Sequence, residues 1–220
     1  MDEPSESLAG LTLTEFSERL ASKEPVPGGG SASAIAASFA ASLLAMVARL
    51  SLDRPKYELY RPTIERARDA GERGRGVLLE LADADAQAYA GFGAARKMAK
   101  ETPSEVAARE AATHLAARAA TEVPLTVVGE CARLIDHIWA MAGRSNLNAS
   151  SDLEVAARLS DAAAHGAGAN VLINLPMVGD ESYAAATTVA LHGMLDAIDR
   201  AAALVSEIVG GGGLRDPESE

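Results

Sequence analysis

The chain has 220 residues, a formal net charge of −11, and 48% hydrophobic but only 4% aromatic residues. Helix-favouring Ala, Leu, Glu and Arg predominate, and runs of alternating β-branched or aromatic residues are missing, which predicts an all-α protein. The absence of a basic stripe argues against a nucleic-acid partner. The single cysteine, Cys131, excludes an internal disulfide. Together with an acidic N-terminus that lacks a basic signal-peptide region, it favours a cytoplasmic location.

Helix signals follow one another along the chain. Thr12 with Glu15 and Thr102 with Glu105 form capping-box patterns, and Asp180 is an N-cap residue before the last helix. The predicted helices cover approximately residues 12–22, 31–50, 62–99, 103–122, 124–143, 151–165, 169–175 and 181–209.

Several of these boundaries depend on single residues. Ser151 with Glu154 repeats the capping-box pattern, and Gly166 is a natural helix stop. Pro124 either kinks the helix that begins at residue 103 or opens the next one, because proline cannot donate a backbone hydrogen bond.

The order of elements predicts a single-domain multi-helix bundle with long, Ala-rich buried helices over residues 11–209. An acidic N-terminal tail of residues 1–10 and a Gly-rich acidic C-terminal tail of residues 210–220 flank it. Residues 25–48 carry no charge, but Ala and Ser outnumber large apolar residues there. A membrane span needs about 20 predominantly apolar residues, so this segment is expected to be a helix buried in the protein, and no membrane is expected as partner.

Pro25-Val26-Pro27-Gly28-Gly29-Gly30-Ser31-Ala32-Ser33 is the most distinctive segment. Glycines let a ligand approach main-chain N–H groups, and a helix that starts there directs its unpaired N–H groups and positive dipole end at the same place. The segment lacks the lysine of a phosphate-binding P-loop and the spacing of a dinucleotide fingerprint. A polar-ligand site and a tight interhelical turn both remain open.

Few other residues suggest chemistry. Asp83 and Asp85 interrupt an apolar stretch but lie on different helix faces, whereas Asp85 and Tyr89 share one. A half-buried Asp85 could carry a proton, and two solvated carboxylates are the alternative. The four histidines show no metal-ligand spacing, so no metal is expected.

Two groups of polar residues either bind a ligand or have a structural role, and both alternatives remain open. The loop of residues 146–152 contains Asn148, Ser151 and Asp152, which either cap turns or bind the edge of a heterocycle. Asn170 and Asn174 lie four residues apart on one helix face, where they either bind a ligand or hold a turn.

Taken in order, these segments resemble the cyclodeaminase/cyclohydrolase family, which includes the C-terminal domain of formiminotransferase-cyclodeaminase and stand-alone methenyltetrahydrofolate cyclohydrolases. The resemblance rests on the glycine segment together with Pro55-Lys56-Tyr57, Asp83-Ala84-Asp85-Ala86-Gln87-Ala88-Tyr89, Glu122-Val123-Pro124-Leu125, Asn148-Ala149-Ser150-Ser151-Asp152 and Asn170-Val171-Leu172-Ile173-Asn174-Leu175. It covers about residues 11–204, and the order of the motifs is more specific than any one of them.

The resemblance implies an all-α homodimer that acts on a folate one-carbon substrate without a prosthetic group. It places Asp85 as the proton carrier beside the glycine loop and the Ser-Asp loop. The substrate-binding residues that we predict on this basis are Gly28, Gly29, Gly30, Ser31, Lys56, Tyr57, Tyr89, Lys100, Asn148, Ser151, Asp152, Asn170 and Asn174.

Two motifs depart from the family pattern. Met98-Ala99-Lys100 stands where Leu-Pro-Lys is frequent, so Lys100 keeps the charge without the proline turn. Gly143-Arg144-Ser145-Asn146 stands before the Ser-Asp loop where Gly-Asn is frequent, which puts a role for Asn146 in doubt. The glutamate tail of a folate needs cations, for which the candidates are Arg49, Arg54, Lys56, Arg61, Lys97 and Lys100.

Two reactions remain open, hydrolysis of 5,10-methenyltetrahydrofolate and cyclodeamination of 5-formiminotetrahydrofolate. The lack of a transferase domain in this chain favours the hydrolysis slightly, by analogy with the family. The alternative is a non-catalytic helical dimer of the same fold that binds a metabolite or a partner protein.

Overall fold

The computed structural model describes residues 7–217, and this part of the chain contains six α-helices and no β-strand. The helices are α1 (Leu13–Leu20), α2 (Gly29–Leu52), α3 (Arg61–Arg96), α4 (Pro103–Met141), α5 (Ser150–Asn174) and α6 (Glu181–Gly211). Short 3₁₀-helices occupy Leu8–Gly10, Pro55–Tyr60, Leu147–Ala149 and Leu175–Met177. The prediction of an all-α bundle is confirmed.

Helix α2 lies at the centre of the bundle. It packs against α3, α4 and α5, and α6 packs on α4 and α5. Ala is the most frequent of its buried residues, and the hydroxyl groups of the buried Ser33, Ser38 and Ser51 donate to carbonyl groups of α2 itself. The buried hydroxyl groups of α2 are thus satisfied without help from solvent.

By length and composition α2 is the one helix in residues 7–217 that would be able to cross a membrane, with a mean hydropathy of 1.8 in its most apolar window. Half of that window is buried inside the protein. Core helices commonly have this character, so it is weak support for a membrane span.

Small residues let α2 and α3 approach closely. A Cβ atom at Gly71 of α3 would lie 2.6 Å from the carbonyl oxygen of Ala41 and 2.9 Å from the backbone nitrogen of Ala45. Both contacts are with the backbone of α2, which cannot rotate away as a side chain can. Gly71 therefore sets the distance between the two helices.

The capping patterns predicted for α1, α4 and α6 are present. Thr12 and Thr102 each form a reciprocal capping box, and the Asp180 side chain accepts from the Tyr183 N–H at 2.9 Å. The capping box predicted at Ser151 is wrong, because the 3₁₀-helix before α5 continues directly into it and leaves Ser151 inside the first turn.

The structure decides two predicted helix boundaries. Of the two alternatives for Pro124, the start of a new helix is not the one found, because α4 continues through it. The helix stop predicted at Gly166 is wrong, because α5 continues through it, and the separate short helix predicted over residues 169–175 is the end of α5. At Gly166 the absent side chain serves packing, because a Cβ atom there would overlap Oγ of Ser33 on α2.

Both ends of the described chain pack on the bundle. Leu8 is buried, and its N–H donates to Asp83 at 2.6 Å. After α6, the N–H of Arg215 donates to the Gly143 carbonyl at 2.7 Å, and its guanidinium lies over the ring of Trp139. Residues 1–6 and 218–220 of the two predicted tails lie outside the described residues.

Candidate active site

The candidate site is built around the N-terminus of α2. Gly28 is the N-cap, and the first intrahelical bond joins the Ala32 N–H to the Gly28 carbonyl at 3.0 Å. The N–H groups that precede Ala32 have no carbonyl partner within the helix, so this end of α2 is rich in donors and positive in potential. The helix begins two residues earlier than predicted, and Gly29 and Gly30 belong to its first turn.

Asp85 of α3 is the acceptor for this helix end. The Ser31 hydroxyl lies 2.9 Å from Oδ2 of Asp85 and 3.1 Å from the Ala82 carbonyl, and the Ser31 N–H also bonds the Asp85 carboxyl group. Burial raises the pKa of Asp85 above its ordinary value, and the two bonds from Ser31 partly oppose that shift. A carboxyl group that is held in place and has a raised pKa suits a proton carrier.

Gly30 makes room for this carboxyl group. All three heavy atoms of the Asp85 carboxyl group lie no more than 2.7 Å from the position that a Cβ atom at residue 30 would take. No real Cβ makes contacts that short, so any side chain at residue 30 displaces Asp85.

Asp85 opens into a cavity of about 380 Å³, which we call the Asp85 cavity. Asp85, Tyr89, Phe92 and Arg96 recur every three or four residues and form one wall from a single face of α3. Arg96 follows Asp85 by eleven residues, which is about 16 Å along the helix axis. The remaining lining residues are Pro25, Val26, Gly28, Gly29, Gly30, Ala120, Asn170, Ile173, Asn174 and Met177.

Asn174 is positioned by a proline. Pro124 has no N–H, so the Ala120 carbonyl one turn earlier loses its usual helical partner. The Asn174 Nδ2 donates to that carbonyl at 2.8 Å. This bond lets α4 continue through Pro124, and it fixes the Asn174 amide at the wall of the cavity.

Asn170 lies one turn before Asn174 on the same face of α5. Its Nδ2 donates to the Gly166 carbonyl at 2.9 Å, and a Cβ atom at Gly29 would contact the same nitrogen at 3.4 Å. Both amide nitrogens thus bond protein carbonyls. Each amide group keeps its oxygen and its second N–H as hydrogen-bonding capacity for a ligand.

Arg96 joins the Asp85 cavity to a second depression of about 440 Å³, which we call the basic cleft. The Arg109 Nε donates to the Arg96 carbonyl at 3.0 Å and so brings α4 against the end of α3. The cleft is lined by Arg96, Lys100, Val106, Arg109, Glu110, Thr113 and His114. Three permanent cations against one carboxylate make it locally positive on an acidic protein.

Five predicted binding residues are not brought to the Asp85 cavity in this chain. The Asn146 N–H donates to Ser51, and the Leu147 N–H donates to the Tyr57 hydroxyl. Ser51 is 20 residues after Ser31 on α2, about 30 Å along the helix. The loop that leads into α5 and the Pro55–Tyr60 segment therefore lie at the opposite end of α2. The five residues are Lys56, Tyr57, Asn148, Ser151 and Asp152.

The charged residues considered in the sequence analysis also differ in their distance from the Asp85 cavity. Asp83 accepts from Ser7 and from the Leu8 N–H, so it holds the N-terminal segment and faces away from Asp85. Two cations predicted for the glutamate tail bond acids on the surface, Arg49 with Glu72 and Arg61 with Glu58. Lys100 is the predicted cation that the structure places beside the Asp85 cavity, across Arg96.

The match to a family of known proteins agrees with this geometry. Residues 12–192 match the family model described as formiminotransferase-cyclodeaminase. The chain belongs to the formiminotransferase-cyclodeaminase family. The resemblance predicted from the sequence motifs is thereby confirmed.

The chain is similar to two named relatives and to one solved structure. Formimidoyltransferase-cyclodeaminase of Sus scrofa is 33% identical over 92% of this chain, which spans 37% of that protein's length. Methenyltetrahydrofolate cyclohydrolase of Methylorubrum extorquens is 33% identical over 84% of this chain and 88% of its own. The crystal structure of formiminotetrahydrofolate cyclodeaminase from Thermotoga maritima is 29% identical, with a TM-score of 0.83 over 92% of this chain and 97% of the other.

Some residues that line the Asp85 cavity were not among the binding residues predicted from the sequence. Phe92, Arg96, Ile173 and Met177 line the Asp85 cavity but were not predicted. Extending the spacing of Asp85 and Tyr89 by seven residues would have reached Phe92 and Arg96, because they continue the same face of α3. Ile173 and Met177 carry no comparable signal, since an apolar residue near a helix end usually indicates core.

Proposed function

We propose that this protein is a folate one-carbon enzyme that acts on the carbon joining N5 and N10 of tetrahydrofolate. The observation that carries the proposal is Asp85, a partly buried carboxyl group fixed by Ser31 at the N-terminus of α2 and open to a cavity. The names of the relatives from Sus scrofa, Methylorubrum extorquens and Thermotoga maritima support the substrate class.

The carboxyl group of Asp85 supplies the proton transfers of both family reactions. In the hydrolysis, Asp85 as a carboxylate takes a proton from water while the water oxygen bonds to the bridging carbon. The same proton then goes to N5 as the bond between N5 and this carbon breaks. The remaining hydroxyl proton leaves to solvent as the carbon–oxygen double bond forms, which leaves the formyl group on N10. The raised pKa of Asp85 favours the return of that proton.

In the cyclodeamination, N10 attacks the carbon of the protonated formimino group, whose nitrogen carries two hydrogens, and loses its own proton to the carboxylate. The protonated Asp85 then delivers a proton to the formimino nitrogen, and ammonia leaves as the bond from the carbon to that nitrogen breaks. Each sequence returns Asp85 to its starting form, so one residue serves either reaction.

The side chains that line the cavity suit the successive chemical groups of a folate. The amide oxygens of Asn170 and Asn174 suit the hydrogen-bond donors of a pterin, and the rings of Tyr89 and Phe92 offer an apolar surface for the aminobenzoyl ring. Arg96 and the basic cleft suit the carboxylates of the glutamate tail. Asp85 and Arg96 stand about 16 Å apart along α3, so an extended ligand lies along this helix.

The experiment that tests the proposal follows 5,10-methenyltetrahydrofolate by absorbance in two parallel reactions of the purified protein. Enzyme-dependent loss of added 5,10-methenyltetrahydrofolate assigns the hydrolysis. Its formation from 5-formiminotetrahydrofolate, with equimolar ammonia, assigns the cyclodeamination. Folded protein that binds a reduced folate but changes neither substrate supports the non-catalytic alternative and refutes the enzyme.

We propose in addition that the protein works as a homodimer in the cytoplasm. Ile173 lines the Asp85 cavity yet leaves 70% of its surface exposed, and Leu172 beside it is 41% exposed, so an apolar patch borders the site. A second copy that covers this patch would explain its exposure. Light scattering at micromolar concentration tests the dimer, and a monomeric mass refutes it.

A further inference from the structure

A second group of chemically active side chains lies on the surface between α5 and α6. Asp161 and His165 are one turn apart on α5, and Asp199 reaches them from α6. Nε2 of His165 lies 2.7 Å from Oδ1 of Asp199 and 3.5 Å from Oδ1 of Asp161. Asp161 is nine residues before Asn170, about 14 Å along the helix, so the group is separate from the Asp85 cavity.

One oxygen of this group lacks a hydrogen-bond partner. Oδ1 of Asp161 is closed off from solvent and accepts no hydrogen bond from the described residues, because His165 directs its Nε2 to Asp199. Arg158 is the nearby cation, and its guanidinium contacts Glu154 and Ser206. A buried acceptor without a donor is unfavourable, and a bound cation would remove that penalty.

The charges of the group suit a divalent cation. As metal ligands, two carboxylates carry a total charge of −2 and an imidazole is neutral, and a divalent ion neutralises that charge. The side chains of His165 and Asp199 are 49% and 50% exposed, so an ion can enter from solvent.

The distances suit a four-coordinate ion. Nitrogen and oxygen ligands lie about 2.0–2.2 Å from Zn²⁺, so two ligands of a tetrahedral site are about 3.4 Å apart. The His165 to Asp161 distance of 3.5 Å already meets this value. The His165 to Asp199 pair must open by about 0.7 Å, which exposed side chains allow.

We propose that Asp161, His165 and Asp199 form a binding site for a divalent transition-metal ion of the Zn²⁺ class, with water in the fourth position. One imidazole nitrogen and two carboxylate oxygens are ligands that Zn²⁺ accepts. The ion connects α5 to α6 and acts as a clamp between the two helices. Sequence spacing does not predict this site, because Asp199 follows His165 by 34 residues and the two meet through packing alone.

The test is a titration of the untagged, chelator-stripped protein with Zn²⁺ by calorimetry and with Co²⁺ by visible absorption. We expect one ion per chain and the intense visible bands of a four-coordinate Co²⁺ site. Zn²⁺ at about 100 times its Kd should raise the Tm by roughly 5–10 °C. These readouts do not depend on catalysis, so failure of the folate proposal leaves them unaffected.

Matched variants assign the ligands. His165→Ala and Asp199→Asn should each lose the Zn²⁺-dependent rise in Tm, and His192→Ala, an exposed histidine on α6, should keep it. Because the substituted side chains are half exposed, the metal-free Tm of each variant should stay close to that of the parent protein. The proposal is overturned if one equivalent of Zn²⁺ does not bind the parent protein, or if both ligand variants bind it as the parent does.

Discussion

Gly30→Ala is the substitution that most directly tests how the Asp85 cavity is built. The added Cβ atom would fall within 2.7 Å of all three heavy atoms of the Asp85 carboxyl group, whereas ordinary contacts are 3.4–4 Å. The carboxyl group must therefore retreat by about 1 Å. A displacement of that size at a reacting group lowers the rate by about 10²-fold.

The effect on stability is smaller and has two opposing parts. Alanine is favoured over glycine within a helix by up to about 1 kcal/mol. Displacing Asp85 weakens its charge-assisted hydrogen bonds from Ser31, which contribute about 1.5–3 kcal/mol. The net loss of about 0.5–2 kcal/mol lowers the Tm by a few degrees and leaves the protein folded at assay temperature.

The assay compares kcat/KM and Tm for Gly30→Ala, Asp85→Asn and the double variant. If Gly30 acts through Asp85, the double variant has the rate of Asp85→Asn, because the carboxyl group that the methyl group displaces is already gone. Gly91→Ala is the matched control. Gly91 lies on α3, as Asp85 does, and a Cβ atom at Gly91 would meet no other atom within 4 Å. Parent-like kcat/KM in Gly30→Ala would refute the reasoning, as would independent, multiplicative losses in the double variant.

Three further variants test other parts of the structure. Asp85→Asn should lower kcat by about 10²–10⁴-fold, whereas Asp83→Asn should keep the parent rate. Because the pKa of Asp85 is raised in the folded state, ionisation of Asp85 destabilises the fold as pH rises above the ordinary value of 3.8. Asp85→Asn should therefore be at least as heat-stable as the parent at pH 8 and should lose that advantage towards pH 4. Arg96→Gln should raise KM about 10–100-fold with little change in kcat, and a substrate without its glutamate tail should abolish the difference; an equal difference with both substrates would contradict the assignment. Gly71→Ala should lose about 1–3 kcal/mol of unfolding free energy by overpacking against α2, whereas Gly76→Ala, with open space around it, should gain up to about 1 kcal/mol; equal Tm values for the two would contradict the packing argument.

The fold was predictable from sequence where the signals are local. The capping boxes at Thr12 and Thr102 and the cap at Asp180 depend on residues three positions apart, and all three are present. The helix stop predicted at Gly166 is wrong, and the local signal at Pro124 left open whether a new helix starts there. At both positions the local rule for ending a helix is offset by another helix. A side chain of α5 bonds the carbonyl that Pro124 leaves free, and α2 occupies the space beside Gly166.

The candidate site was predictable to a similar extent and for the same reason. The glycine turn, Asp85 and Tyr89 were found because their spacing along one segment is informative. Asn148 and Ser151 were proposed beside them, but the sequence order of two loops says nothing about which end of a 24-residue helix each of them meets. The structure separates them by the length of α2 within one chain.

The departures from local rules in this chain are concentrated around the Asp85 cavity. A helix begins with glycine at N-cap and in its first turn, and the glycine at residue 30 leaves room for a carboxyl group from another helix. A proline inside α4 frees a carbonyl that fixes Asn174, and Asp85 is partly buried with a raised pKa. Each feature is unfavourable or neutral for folding by itself, and folding alone gives no reason for them to meet at one place. Their coincidence at a cavity is what a site selected for binding and proton transfer produces, and it supports that role on physical grounds separate from family membership.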